Sequence, residues 1–320
     1  MGSRWYRRSL TLAVLLTFFC SISRAEGQPV PAQPELPAIH VAMLPNDDIT
    51  SVLYAVDKGL FRQAGLNVQL ERAASGSAIA AAIAGGSYDI GKSAITEIFK
   101  GYQKGLPFAI IAPAGIYNST KPYGGIVVSK PSGIRTASDL MGKVVAVISL
   151  HDIGQIAVDA WMTQHGEDPS RVKYVELPES AMTAAITDHR IDAAELVNPT
   201  LAVALATHNF TLFPVYDAIA PSFLFSVWFT TSTWADAHRA EVGTFARVVA
   251  AAAAYTNAHP AETAAILANY TALPVSVIES MPRMTNGTVV TASQIQPAID
   301  ASAKDGVLAH PFPAQDVMFK

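Results

Sequence analysis

A single cysteine, Cys20, occurs in 320 residues, and charged side chains make up only 15% of them. If that cysteine is removed with an N-terminal leader, the chain has no disulfide, no thiolate nucleophile and no cysteine-ligated metal. Such a chain suits an oxidising compartment, where unpaired thiols are a liability. Long apolar runs are missing as well. A membrane-spanning helix needs ~20 apolar residues; Leu10 to Cys20 is shorter, and no later stretch is both long enough and free of charge. The eight histidines are scattered, with no pair at metal-ligand spacing. There is no G-x-S-x-G, H-E-x-x-H or Walker loop. Ser170-Arg171-Val172-Lys173 fits S-x-x-K, but it runs into an expected strand and its companion motifs are absent. These absences point away from an enzyme, and neither a metal nor a cofactor is expected.

Among the features present, the first is a leader. Arg4, Arg7 and Arg8 precede the apolar run, and Ser23-Arg24-Ala25 places small residues where a signal peptidase reads them. Residues 1–25 therefore read as a signal peptide cleaved after Ala25, and the mature protein as periplasmic. Phe19 stands before Cys20, where lipoprotein processing wants a small residue. Arg7-Arg8 leaves Sec and Tat export both open. Removing Arg4, Arg7, Arg8 and Arg24 from 22 basic residues leaves 18 against 26 acids, a net −8, which disfavours nucleic acid and anionic membrane as partners. Residues 26–37 hold four prolines and read as a disordered linker.

The remainder contains a repeat. Val41-Ala42 and Asp48-Ile49 recur as Val145-Ala146 and Asp152-Ile153, 104 residues on; Ala81-Ala82-Ile83 with Asp89 recurs as Ala184-Ala185-Ile186 with Asp192, 103 residues on. Each copy reads as strand, helix, strand, helix, strand. Continuous apolar runs at Ile39 to Leu44 and Val144 to Ile148 fit parallel strands buried on both faces, and Gly65 and Gly166 stand where helices need a left-handed cap. Alternating strands and helices imply an α/β fold of two doubly wound lobes. Phe223 to Thr231 reads as a strand returning to the first lobe, followed by extra C-terminal helices packed on that lobe. The expected division is 38–131 for the first part of lobe 1, 132–218 for lobe 2 and 219–320 for the return to lobe 1. The hinge crossings are then expected near Tyr123 to Ser132 and Ala218 to Phe225.

A family resemblance rests on three stretches. Tyr54-Ala55-Val56-Asp57-Lys58-Gly59-Leu60-Phe61-Arg62-Gln63-Ala64-Gly65-Leu66-Asn67-Val68 resembles the A-x-x-x-G-x-F-x-x-x-G-L-x-V stretch of the nitrate/sulfonate/taurine substrate-binding proteins and their thiamine-precursor-like relatives. Gly85-Gly86-Ser87-Tyr88-Asp89-Ile90-Gly91 is similar to their G-x-x-D-x-G segment, and Ala137 to Val145 to their D-L-x-G-K-x-V opening of the second lobe. The resemblance implies a type II periplasmic binding fold, with two crossings, and an ABC importer permease as partner. Its alternative is an exported or relocated enzyme of the same fold acting on a pyrimidine-like substrate. The protein is expected to be a monomer, and its solute a small polar organic anion or a planar heteroaromatic.

In open α/β sheets ligands bind beyond the carboxyl ends of strands, near helix N-termini, which selects the site residues. Asp48 and Asp152 sit at matched helix starts as caps or ligand contacts, with Asp47 and its counterpart His151 beside them. Ser75 and Ser77 open a helix. Lys92 follows the third strand; Glu195, 103 residues on, is its expected acidic partner across the cleft. Asn46, Ser93, Thr96 and Asn198 offer uncharged hydrogen bonds on cleft loops. Tyr117 and Phe223 lie near the crossings, where they can stack on a planar solute.

Overall fold

In the computed structural model, which describes residues 36–320, the first apolar run forms strand β1 (Ala38–Met43), with Val41, Ala42 and Met43 fully buried. The expected signal peptide, Cys20 and most of the proline-rich segment lie outside the described residues. Strands β2 (Asn67–Arg72) and β3 (Ile90–Ala94) pair with β1 in parallel, and β4 (Phe108–Pro113) completes the first lobe's share of the chain to this point. Helices α1 (Thr50–Asp57), α2 (Leu60–Gln63), α3 (Gly76–Ala84) and α4 (Thr96–Gln103) connect them. Gly59 adopts φ +65 and divides the helical stretch that ends before Gly65 into α1 and α2. Gly65 itself has φ +82, with nothing within 4 Å of where a Cβ would sit. Gly65→Ala is therefore expected to cost about 1–2 kcal/mol through the backbone alone, seen as a lower urea midpoint at unchanged m-value.

Strand β5 (Gly115–Asn118) leads out of this lobe, and β6 (Gly124–Ser129), β7 (Val144–Val147), β8 (Lys173–Glu176), β9 (Ala193–Val197) and β10 (Phe210–Phe213) build the second sheet, in the order β10-β6-β9-β7-β8. Helices α5 (Ile153–Gln164), α6 (Glu179–Thr187) and α7 (Thr200–Thr207) pack on it. β6 falls inside the span expected to close the first lobe, yet it pairs antiparallel with β9 and β10. The first crossing accordingly lies before Tyr123.

The expected return strand is two strands. β11 (Ser222–Leu224) pairs with β5, and β12 (Ser226–Thr231) inserts antiparallel between β3 and β4, giving the first sheet the order β2-β1-β3-β12-β4. Between them, the N–H of Phe225 donates to Gly115 O at 2.9 Å. Helices α8 (Ser232–Ala237), α9 (Arg239–Ala258), α10 (Pro260–Thr271) and α11 (Val275–Ser280) follow, then β13 (Thr285–Asn286) beside β5, then α12 (Ala292–Lys304). α9 and α10 pack against α1, whereas α12 lies against α5, α4 and β11 and so touches both lobes.

The repeat is visible in the register. Val41 faces Leu70 and Ile90 in the first sheet; Val145 faces Tyr174 and Ala193 in the second. The Asp89 carboxylate accepts from the N–H of His40 at 2.8 Å, and that of Asp192 from the N–H of Val144 at 2.9 Å. The matched aspartates thus tie the third strand of each copy to its first.

Candidate functional site

The carboxyl ends of β1, β3, β7 and β9 meet around one small interlobe cavity of ≈40 Å³. Asn46, Lys92 and Glu97 line it from the first lobe, and Ser149, Asp152 and Glu195 from the second; Leu44, Phe225 and Val197 supply apolar wall. Four polar contacts hold the lobes together. The N–H of Asp47 donates to Asn198 O (3.2 Å) and Asn198 Nδ2 to Pro282 O (2.8 Å). The hydroxyls of Ser77 and Ser149 lie 3.5 Å apart, and Lys100 Nζ donates to Leu150 O at 3.4 Å. The cleft is closed. Larger hollows of ≈750 Å³ and ≈420 Å³ lie outside it, beside Arg283 and between α5 and α12.

In the first lobe the charges are internally matched. Lys92 Nζ lies 2.6 Å from Asp48 Oδ1, and both side chains are buried. Ser226 donates to the other oxygen of Asp48 at 2.5 Å, while its own hydroxyl accepts the N–H of Gly115 at 3.0 Å. Asp48 is therefore no helix cap, in contrast to the expectation; it is the counterion of Lys92. Lys92 does not reach across to Glu195, because its partner stands on its own lobe. Asp47, also buried, is held by Arg283 Nε at 2.8 Å and the N–H of Met284 at 2.5 Å, although burial still lifts its carboxyl above the usual range. Ser75 caps α3, accepting from the N–H of Ala78 at 3.2 Å. Ser93 donates to Ala94 O, and Thr96 is buried with its hydroxyl unpartnered.

In the second lobe the same positions carry different charges. Asp152 does cap its helix, accepting from the N–H of Gly154 (3.0 Å) and of Gln155 (3.1 Å), and its other oxygen accepts from the backbone N–H of Ser149 (3.2 Å). Burial nevertheless lifts its carboxyl to about 6, with the charge of Glu97 adding to the effect. Glu195 is 2% exposed. Its Oε1 accepts from the Tyr216 hydroxyl, while Oε2 has no hydrogen-bond partner. Burial first, and then the neighbouring charge of Asp152, push Glu195 well above the usual carboxylate range. Glu179, at the start of α6, accepts from the N–H of Val197 at 3.0 Å and is raised by burial to about 7. Gly154 makes this packing possible, since a Cβ there would stand 2.8 Å from Glu195 Cγ.

Of the expected residues, Asn46, Lys92, Asp152 and Glu195 line the cavity; Asp47, Asp48, Ser75, Ser77, Ser93, Thr96 and Asn198 do not, nor do Tyr117, Phe223 and His151. Tyr117 and Phe223 are fully buried in the hinge, with ring centroids 5.4 Å apart, and the Tyr117 hydroxyl donates to Asp217 at 2.6 Å. Neither lines the cavity; their apolar rings join Tyr123, Tyr216 and Phe225 in a core beneath it. His151 is exposed, at φ +58, and makes its hydrogen bond through its N–H to Gln155.

Sequence reasoning missed Glu97, Ser149, Glu179, Tyr216 and Ser226. Glu97 directly follows Thr96, and its pairing with Lys100 at 2.7 Å has i,i+3 spacing. Glu179 falls at Gly76 by the 103-residue offset, between the positions matching Ser75 and Ser77. Ser149 stands two residues before His151. Nothing local marks Ser226 or Tyr216, which tertiary packing alone brings to Asp48 and Glu195.

A family model described as "NMT1/THI5 like" matches residues 46–263. The periplasmic aliphatic sulphonate binding protein SsuA from Escherichia coli is 18% identical, with a TM-score of 0.71 over 88% of this chain and 92% of that one. The alkanesulfonate-binding protein SsuA from Xanthomonas axonopodis pv. citri, bound to MOPS, is 16% identical, with a TM-score of 0.72 over 89% and 99%. The periplasmic nitrate-binding protein NrtA from Synechocystis PCC 6803 is 13% identical, at 0.66 over 76% and 69%. No curated protein matches the chain. The fold is that of the periplasmic binding proteins.

Proposed function

The chain belongs to the NMT1/THI5-like family, and from that membership we propose that it is a solute-binding protein, closing its two lobes on a small solute in the cleft. In this reading it is exported as a monomer, with cleavage after Ala25, and hands the solute to an ABC-type importer permease. The observation that carries the reading is the closed cleft, where strand ends of both repeats bring polar side chains to one buried cavity. A volume of ≈40 Å³ admits about one water-sized group, so a larger solute enters as the lobes part at the hinge segments.

Between the two solute classes, the charges favour the planar, polar one over the anion. Lys92 is already neutralised by Asp48, and Lys100 is paired with Glu97. An anion entering here meets Glu97, Asp152 and Glu195 on the cavity wall, with no unpaired lysine or arginine lining it among the described residues. A planar solute with hydrogen-bond donors meets acceptors instead.

The test is a thermal-shift screen of the purified protein with nitrate, alkyl sulfonates, pyrimidines, riboflavin and aromatic acids. A solute present at 100 times its Kd adds about 2.7 kcal/mol of stability, a readily measured shift. Stabilisation by pyrimidines or other planar heteroaromatics, and none by nitrate or sulfonates, is the expected result. Strong stabilisation by a sulfonate overturns the choice of solute class, and turnover of a screened solute by the protein alone overturns the transport reading.

A further inference from the structure

The two copies of the repeat differ in one decisive charge. In the first, the aspartate after the first strand, Asp48, is answered by Lys92 at 2.6 Å. In the second, the corresponding aspartate is Asp152, and the residue matching Lys92 is Glu195. A cation–carboxylate pair in one lobe is thus a carboxyl–carboxylate pair in the other. No lysine, arginine or histidine forms an ion pair with Asp152, Glu179 or Glu195 among the described residues. Glu195 Oε2 is buried without a partner, and Glu195 lines the interlobe cavity together with Asp152.

From this asymmetry we infer that the solute carries a protonated nitrogen, which Glu195 and Asp152 hold in the role that the Lys92 ammonium fills beside Asp48. The inference rests on the cleft being the solute site, and it names what that site selects. Like charges crowded in a buried site favour the protonated acid, and the groups facing Glu195 are mostly acidic or neutral: Asp152 from the cap of α5, Glu97 from α4, Glu179 from α6 and the Tyr216 hydroxyl from the hinge. Lys92 and Lys100 are held by their own carboxylates. Glu195 accordingly keeps its proton while the cleft has no cation in it. On binding, one ammonium enters and one proton leaves Glu195 for solvent, so the net charge of the site is conserved. Capture of a cation then strengthens as pH rises, by up to about tenfold per pH unit while Glu195 remains protonated in the free protein.

Three probes of similar shape separate the possibilities: benzylamine, benzyl alcohol and benzenesulfonate, titrated calorimetrically into the purified protein in buffers of different ionisation enthalpy. The expected result is that benzylamine binds at least about tenfold more tightly than the alcohol, releases close to one proton, and tightens from pH 6 to pH 8. Glu195→Gln should abolish the proton release and the pH slope and remove the preference for benzylamine over the alcohol. The Gln side chain retains the acceptor for Tyr216, so the fold has no reason to fail, and unfolding of the variant by urea checks this directly. Equal binding of all three probes, or benzylamine binding that Glu195→Gln leaves unchanged, overturns the inference and leaves the cleft as a solute site. Failure of all three to bind overturns both for solutes of this size.

Discussion

Lys92→Met is expected to destabilise the protein by about 3–5 kcal/mol, the cost of leaving one member of a buried ion pair without the other. Both side chains are nearly sealed from water, at 2% and 4% exposure. Met fills much of the volume of the lysine stem but leaves Asp48 with only Ser226 donating to it. Asp48 then either remains charged in a dry site or takes up a proton, and both are unfavourable at neutral pH. The double variant Lys92→Met with Asp48→Asn removes both charges and is expected to recover most of the loss. Urea unfolding of the three proteins checks this at one pH. A single variant as stable as the parent, or a double variant no better than the single, would remove the pair from the list of structural elements.

Stability should also fall as the solution becomes more alkaline, which reverses the usual acid sensitivity of carboxylate-rich proteins. Asp152 is lifted to about 6, and Glu179 and Asp305 to about 7, each by burial first; Asp159 adds a second carboxyl beside Asp305. A carboxyl whose folded pKa exceeds its unfolded value near 4 binds its proton more tightly in the folded state. Its favourable contribution is complete below about pH 4 and is lost as pH rises through the folded value. The window is therefore about pH 4 to about pH 8, with a combined loss on the order of a few kcal/mol. Urea midpoints taken from about pH 5 to about pH 8 should decline steadily. Asp152→Asn keeps a side chain able to cap α5 and should flatten part of the slope; a profile that rises over the same range contradicts the assignment.

Much of the fold was legible before any coordinates. Val41-Ala42 and Val145-Ala146 marked an interior strand of each sheet because burial on both faces demands unbroken apolar residues. The 104-residue offset carried over to the hydrogen-bond register itself, where Val41 faces Leu70 and Val145 faces Tyr174. The crossings were less legible. β6 and β11 are short, apolar and close to the hinge, so composition assigns them to either lobe equally well, and only their hydrogen bonds decide.

The site divides along the same line. Its loops could be located because strand ends and helix starts follow from local pattern, and Asp152 caps α5 as a residue of that type at that position should. Partner choice among its charges could not be read this way. Asp48 was matched with the cap role of Asp152, and Lys92 with Glu195, because the repeat makes those positions equivalent; the structure instead joins Lys92 to Asp48 and Glu195 to Tyr216.

By itself, then, the amino-acid sequence determined the two α/β copies, the strand ends that meet in the cleft and four of the residues that line it, Asn46, Lys92, Asp152 and Glu195. All of these depend on patterns spanning a few residues to one repeat. Tertiary structure alone decided which carboxyl is paired with a lysine and which has an oxygen without a partner, since electrostatic interaction depends on separation through space. Ser226 reaches Asp48 across 178 residues of chain, a distance no local pattern records.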